Sequence, residues 1–245
     1  MLDSIFKTDI LFCLFAIAAA FFVALAATPL AGKLAAVCGC YDRPDGARKL
    51  HKKPVPYFGG LAILLGFVTS AVLFSFLMLG AIPQSVAVMV IGGMSICFVG
   101  VIDDMYDMPS LLKLFFQIVI SAFTAYFGGA IEYTTLFDKT IVFGVFSIPV
   151  TVLWMVLIIN AVNLIDGLDG LASGVSALES FALLITSVVM GNTVCIIASA
   201  ALCGAVLGFL PYNANRATIF MGDAGSMFIG YIMACISVFG LFKAQ

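Results

Sequence analysis

Eight apolar runs dominate this chain, at residues 10–30, 59–80, 85–102, 111–128, 147–164, 174–190, 194–210 and 226–242. Each is close to the roughly 20 residues that carry a helix across a bilayer. Hydrocarbon offers backbone N–H and C=O groups no water, so only helices or a closed barrel can cross it. The runs are continuous rather than alternating, which points to helices. The expected fold is all-α, a polytopic integral membrane helical bundle of about eight transmembrane helices, with residues 1–245 as a single transmembrane domain. Composition agrees, since 10% of residues are charged against roughly 25% in soluble domains.

The first run, Ile10 to Leu30, is too long for a signal-peptide core and lacks a basic leader, so it reads as a retained helix. No basic cluster is interleaved with aromatics, so the expected surroundings are a lipid bilayer and no nucleic acid. Cysteines fall at 13, 38, 40, 97, 195, 203 and 235, mostly inside apolar runs, where a thiol packs as a small hydrophobe. Cys38 and Cys40 have no second pair to complete a metal site.

Lys33, Arg43, Arg48, Lys49, Lys52 and Lys53 lie between the first two runs, which makes that loop cytoplasmic by the positive-inside rule. Counting spans from there puts 103–110, 165–173 and 211–225 on the same side. Every dense polar cluster then falls on one face, as for a single site facing the cytosol.

Four clusters carry chemistry. In His51–Gly60 the prolines stiffen an extended segment, Lys53 can meet phosphate, and Gly59-Gly60 lets the next helix start against another backbone. In Asp103-Asp104-Met105-Tyr106-Asp107 close carboxylates call for a cation, and oxygen-only donors suit Mg²⁺, with Mn²⁺ as the alternative. Asn160–Leu171 holds Asn160 and Asn163 on one helical face, and Asp166 and Asp169 where the helix opens to water. In Asn213–Ser226, Gly222 precedes Asp223, Ser226 opens the last helix, and backbone N–H groups at such a start favour phosphate. Phe220 there can stack on a base or anchor at the interface. Glu179, inside the sixth run, has no assigned role.

These motifs, HxxPxP–GG, DDxxD, NxxNxxDGxDGL and FMGDxGS, resemble in order and type those of the polyprenyl-phosphate N-acetylhexosamine-1-phosphate transferases. The likeness covers about residues 40–240 and is nearer the WecA/TagO group than MraY, judged by HKKPVPYFGG and Asp107. It implies a transferase of a bacterial plasma (inner) membrane with UDP-GlcNAc and undecaprenyl phosphate as substrates, and a homodimer is open to it. It further implies Asp223 as the Mg²⁺ ligand, with Asp103 and Asp104 at the lipid phosphate and cation. Asn163, Asp166 and Asp169 fall on the nucleotide side and Phe220 on the uracil.

Arg216 and Thr218 depart from the family's N-x-x-P-A-[KR] segment, and no histidine follows His51. Members continue with further spans and a histidine-bearing loop, so the expectation is a fragment, or a shortened relative that needs a partner, with little activity alone. A UbiA-type prenyltransferase needs two NDxxD-like motifs and does not fit the GDAGS and DGLDG loops. A transporter would place its ionisable groups near mid-membrane.

Sidedness is testable in intact cells. Cysteine introduced at Ser110 or Ala172 should be shielded from an impermeant reagent, and at Gln84 or Asn192 labelled. Labelling of all four from outside would break the one-face reading.

Overall fold

The computed structural model describes residues 2–42, 54–136 and 139–241. Its helices are α1 (Leu2–Cys38), α2 (Gly59–Leu79), α3 (Gln84–Tyr106), α4 (Ser110–Phe127), α5 (Ser147–Ile165), α6 (Leu171–Met190), α7 (Thr193–Asn213) and α8 (Gly222–Leu241). Among the described residues these eight are long and apolar enough to cross a membrane. Two antiparallel ribbons supplement them: β1 (Tyr41–Asp42) with β2 (Val55–Pro56), and β3 (Tyr133–Leu136) with β4 (Lys139–Val142). Lys53 and His51, together with the basic residues at 43, 48, 49 and 52, lie outside the described residues.

Several helices outrun their apolar stretches. α1 passes through Pro29 to Cys38. Proline removes one ladder bond, and next to it the Thr28 hydroxyl donates to Ala24 O at 2.7 Å, as polar side chains do in broken membrane helices. α3 continues through both aspartates to Tyr106, and α8 begins at Gly222, so Asp223 sits in its first turn. The β3–β4 ribbon, in the connection between α4 and α5, leaves no clear mark in the sequence.

α8 is the axis of the bundle, packed by α2, α3, α5, α6 and α7 and buried along nearly its whole length. Its polar side chains find partners inside. The Tyr231 hydroxyl donates to Val88 O at 3.2 Å and lies 2.8 Å from Thr124 Oγ1. Trp154 Nε1 donates to Ser237 Oγ at 2.9 Å. Neighbours come close only where they lack side chains. A Cβ on Gly100 of α3 would sit 2.4 Å from Ala224 N and Cα, and one on Gly60 of α2 would sit 2.2 Å from Gly225 N. The Gly59 and Gly60 amides donate to Phe220 O and Met221 O, both at 3.0 Å. This is the close backbone approach that the Gly-Gly pair suggests.

Two glycines with opposite surroundings test this packing. Gly100→Ala presses on backbone that cannot yield and should cost about 1–3 kcal/mol. Gly174 in α6 has open space at its Cβ position, so Gly174→Ala should be neutral or stabilise by up to about 1 kcal/mol through helix propensity. Thermal melts in detergent would compare them, and equal effects would refute the packing argument. Ala172 is buried and Ser110 exposed, so Ser110 is the informative position for sided labelling.

Candidate active site

The C-terminal ends of α3 and α5 meet the N-terminal ends of α4 and α8, and four polar side chains converge there. Lys113 Nζ lies 2.7 Å from Asp103 Oδ2 and also contacts Asp223 Oδ2. The second oxygen of each carboxylate is tied elsewhere. Asp103 Oδ1 accepts from Met108 N at 2.7 Å, and Asp223 Oδ1 accepts from Asn163 Nδ2 at 2.7 Å. Asn163 Nδ2 also lies 2.9 Å from Ser226 Oγ, and that hydroxyl donates to Gly222 O at 3.1 Å. Lys113 escapes sequence reasoning, because one lysine near the start of an apolar run looks like an interfacial anchor. Its signal is its cost, since an ammonium at membrane depth needs a partner.

Asp104 is placed differently from Asp103. The sequence reading makes the two a joint ligand pair, but the structure separates them. Asp104 Oδ1 accepts from Asp223 N at 2.8 Å and Oδ2 from Ala224 N at 3.2 Å. Its carboxylate caps α8 and satisfies amides that a helix start leaves without partners. Those amides are therefore held by protein rather than open to phosphate. Gly222 has a positive φ of 71°, and a Cβ there would lie 2.4 Å from Asp104 Oδ2, so glycine is what admits the cap.

Beside this cluster is a cavity of about 1130 Å³, lined by Asp42, Tyr57, Asp103–Asp107, Asp166–Asp169, Asn213, Phe220, Gly222 and Asp223. On one wall Tyr57 and Phe220 stand 6.1 Å apart, centroid to centroid, at 46°. Burial raises the Tyr57 phenol above its ordinary range, reinforced by the Asp42 carboxylate to which it bonds. Asp107 closes α3 in a left-handed conformation and is exposed on the rim. Asp169 Oδ2 accepts from Ala217 N at 3.0 Å. Asn213 ties the two loops of the floor together: its Oδ1 accepts from Ser173 Oγ at 2.8 Å and Gly170 N at 3.2 Å, and its Nδ2 donates to Ile219 O at 3.2 Å.

Asn160 is not brought into this site. It lies about one turn deeper than Asn163, and its Nδ2 donates to Gln117 Oε1 at 2.6 Å and to Val156 O at 2.8 Å. Residues three apart on a helix differ by about 60° in direction, enough to send Asn160 to α4 and Asn163 to α8. Ser226 is fully buried and supports Asn163 without lining the cavity.

Among the described residues no three His, Cys, Asp or Glu side chains form a metal cage. Magnesium does not need one, because it commonly takes one or two carboxylates and completes its shell with water and phosphate oxygens. Asp103 and Asp223 fit that requirement. Their Oδ2 atoms already converge on one positive charge, the Lys113 ammonium.

A buried axial helix whose capped start meets clustered carboxylates thus lies inside a multi-pass membrane bundle. Residues 86–241 match the model for glycosyl transferase family 4, and the chain belongs to that family. It is 34% identical over 220 residues to a probable undecaprenyl-phosphate N-acetylglucosaminyl 1-phosphate transferase of Bacillus subtilis, covering 89% of this chain and 60% of the relative. It is 37% identical to the decaprenyl-phosphate N-acetylglucosaminephosphotransferase of Mycolicibacterium smegmatis, over 78% of this chain and 51% of the relative. It is also 35% identical to the phospho-N-acetylmuramoyl-pentapeptide-transferase of Clostridioides difficile, over 80% and 64% respectively. The chain thus spans between about half and two thirds of the length of these curated relatives.

Burial, with the nearby Asp223 charge, raises Asp166 from an ordinary 3.8 to about 7. Between those values the folded chain keeps a proton that the unfolded chain has released. Stability linked to Asp166 is therefore present at low pH and lost as pH rises through the window. Asp166→Asn cannot titrate, so it should flatten the fall in melting temperature between pH 3.8 and about 7. A slope identical to the parent protein's would show that Asp166 does not carry this dependence.

Proposed function

We propose that this chain transfers N-acetylglucosamine-1-phosphate from UDP-GlcNAc to a polyprenyl phosphate, undecaprenyl phosphate in the first instance, with the capped end of the bundle in the cytoplasm of a bacterial plasma membrane. The observation that carries this is the convergence of three separate motifs on one cavity. Asp103 from α3, Asp166 and Asp169 after α5, and Phe220 and Asp223 at the start of α8 all line it. Membership of glycosyl transferase family 4 and the names of the relatives support the same reading.

In the reaction a lipid phosphate oxygen attacks the β-phosphorus of the donor, a new pyrophosphate bond forms, and UMP leaves. One pyrophosphate bond replaces another, so positioning and charge neutralisation matter more than driving force. Asp103 and Asp223 would hold Mg²⁺, with Mn²⁺ as a substitute, and the cation would neutralise phosphate oxygens that otherwise repel the attacking anion. Asn163 fixes the orientation of Asp223, and Asp104 holds the helix start that carries it. The Phe220 ring, with Tyr57 beside it, offers a face for uracil. Asp166 and Asp169 line the cavity and would meet the nucleotide, while Lys113, on the Asp223 carboxylate, would supply positive charge to the phosphates.

The direct test is to incubate membranes containing the chain with labelled UDP-GlcNAc and undecaprenyl phosphate. Mg²⁺-dependent, butanol-extractable label is the expected result, and label from UDP-MurNAc-pentapeptide alone would favour the muramoyl-pentapeptide donor instead. Asp223→Asn and Asp103→Asn should each lower turnover by about 10²-fold or more while the protein still purifies. Phe220→Ala should weaken donor binding by about 1–3 kcal/mol, the range for base–aromatic stacking, with Phe220→Trp mild. Near-normal turnover in Asp223→Asn would overturn the placement of the reacting phosphates.

A further inference from the structure

Lys113 is the one cation on the Asp103–Asp223 pair among the described residues, and its position is unusual in one respect. The two carboxylates do not depend on it for their placement. Met108 N holds Asp103 through Oδ1, and Asn163 Nδ2 holds Asp223 through Oδ1. The free Oδ2 atoms converge on the ammonium. Two negative charges around one positive charge leave the cluster one charge short of neutral, a deficit that a dication in the ammonium's place would remove. The lysine can leave without moving the backbone. It stands at the fourth position of α4 on a long flexible stem, and both of its partners line the cavity.

We infer that Lys113 is the resident counter-cation of this site, competing with the divalent cation for the same two carboxylate oxygens and so holding its affinity down until phosphate is present. This rests on the proposed divalent-cation chemistry. When the ammonium is displaced it stands beside the cavity, where phosphate oxygens can accept its hydrogen bonds. Metal entry and donor entry are thereby coupled: the ligand that brings phosphate gives the displaced lysine a new partner. A purely structural ion pair has the opposite signature, because removing the lysine would then loosen the carboxylates and weaken metal binding.

The test is Mn²⁺ binding by the purified 245-residue chain in detergent, read by electron paramagnetic resonance without turnover. Removing a unit charge beside a bound cation is worth about tenfold or more, even at the effective dielectric of a protein surface. Lys113→Met should therefore bind Mn²⁺ about tenfold more tightly than the parent, and Lys113→Arg, which keeps the charge, should stay close to it. A second measurement needs no variant: saturating Mn²⁺ should increase acylation of Lys113 by an amine-reactive ester in the parent protein, read by mass spectrometry. Equal or weaker Mn²⁺ binding by folded Lys113→Met, or no gain in acylation, overturns the competition while leaving the proposed transferase reading intact. If neither the parent nor folded Lys113→Met binds Mn²⁺, the divalent cation leaves the proposed function and this inference falls with it.

Discussion

The interaction on which the rest of the site depends is the Asp104 carboxylate on the first amides of α8. A helix that starts inside a membrane bundle has N–H groups that water cannot reach, and leaving them without acceptors is costly. Asp104 reaches across from α3 and accepts from Asp223 N and Ala224 N. That contact requires α3 and α8 to approach to backbone distance, which Gly100 permits, and it requires room beside the carboxylate, which Gly222 leaves. With the cap made, Asp223 is held at the cavity edge. Asp103, about 100° around the helix from its neighbour, is turned towards Lys113 instead. Adjacent aspartates thus have different tasks because a helix points them in different directions.

The same cluster reverses a local rule. Carboxylates at the C-terminal end of a helix face the negative pole of its dipole, and α3 carries Asp103 and Asp104 in its last turn. The offset comes from other elements: the positive end of α8 for Asp104 and the Lys113 ammonium for Asp103. Departures of this kind concentrate where a protein does chemistry. Here the negative charge is held in place by partners on neighbouring helices.

Much of this was legible in the residues themselves. Eight continuous apolar runs gave eight helices, and the three acidic motifs do reach one cavity. Helix ends were harder to read, because hydropathy falls at Asp103 while the hydrogen-bond ladder continues to Tyr106, and rises after Gly222 although α8 starts there. Neighbouring polar letters also looked like joint ligands when only the backbone phase separates them. Asp104 turned to α8 and Asn160 to Gln117 for that reason. Lys113 was hidden because its importance lies wholly in partners distant in sequence, Asp103 and Asp223.

The axial position of α8 has a mechanical meaning. Bilayer thickness and lateral pressure act on a membrane protein through the side chains that touch lipid, and helices respond by tilting. Here those side chains belong largely to the outer helices, for example Phe22 of α1, Leu111 of α4 and Leu178 of α6, while α8 is encased. Its capped end is held to α2 by backbone hydrogen bonds and to α3 by the Asp104 side chain. The outer faces can therefore follow the changing lipid around them while Asp223, at the end of the axis, stays between Asp104 and Asn163, as a bearing keeps its shaft centred when the housing flexes.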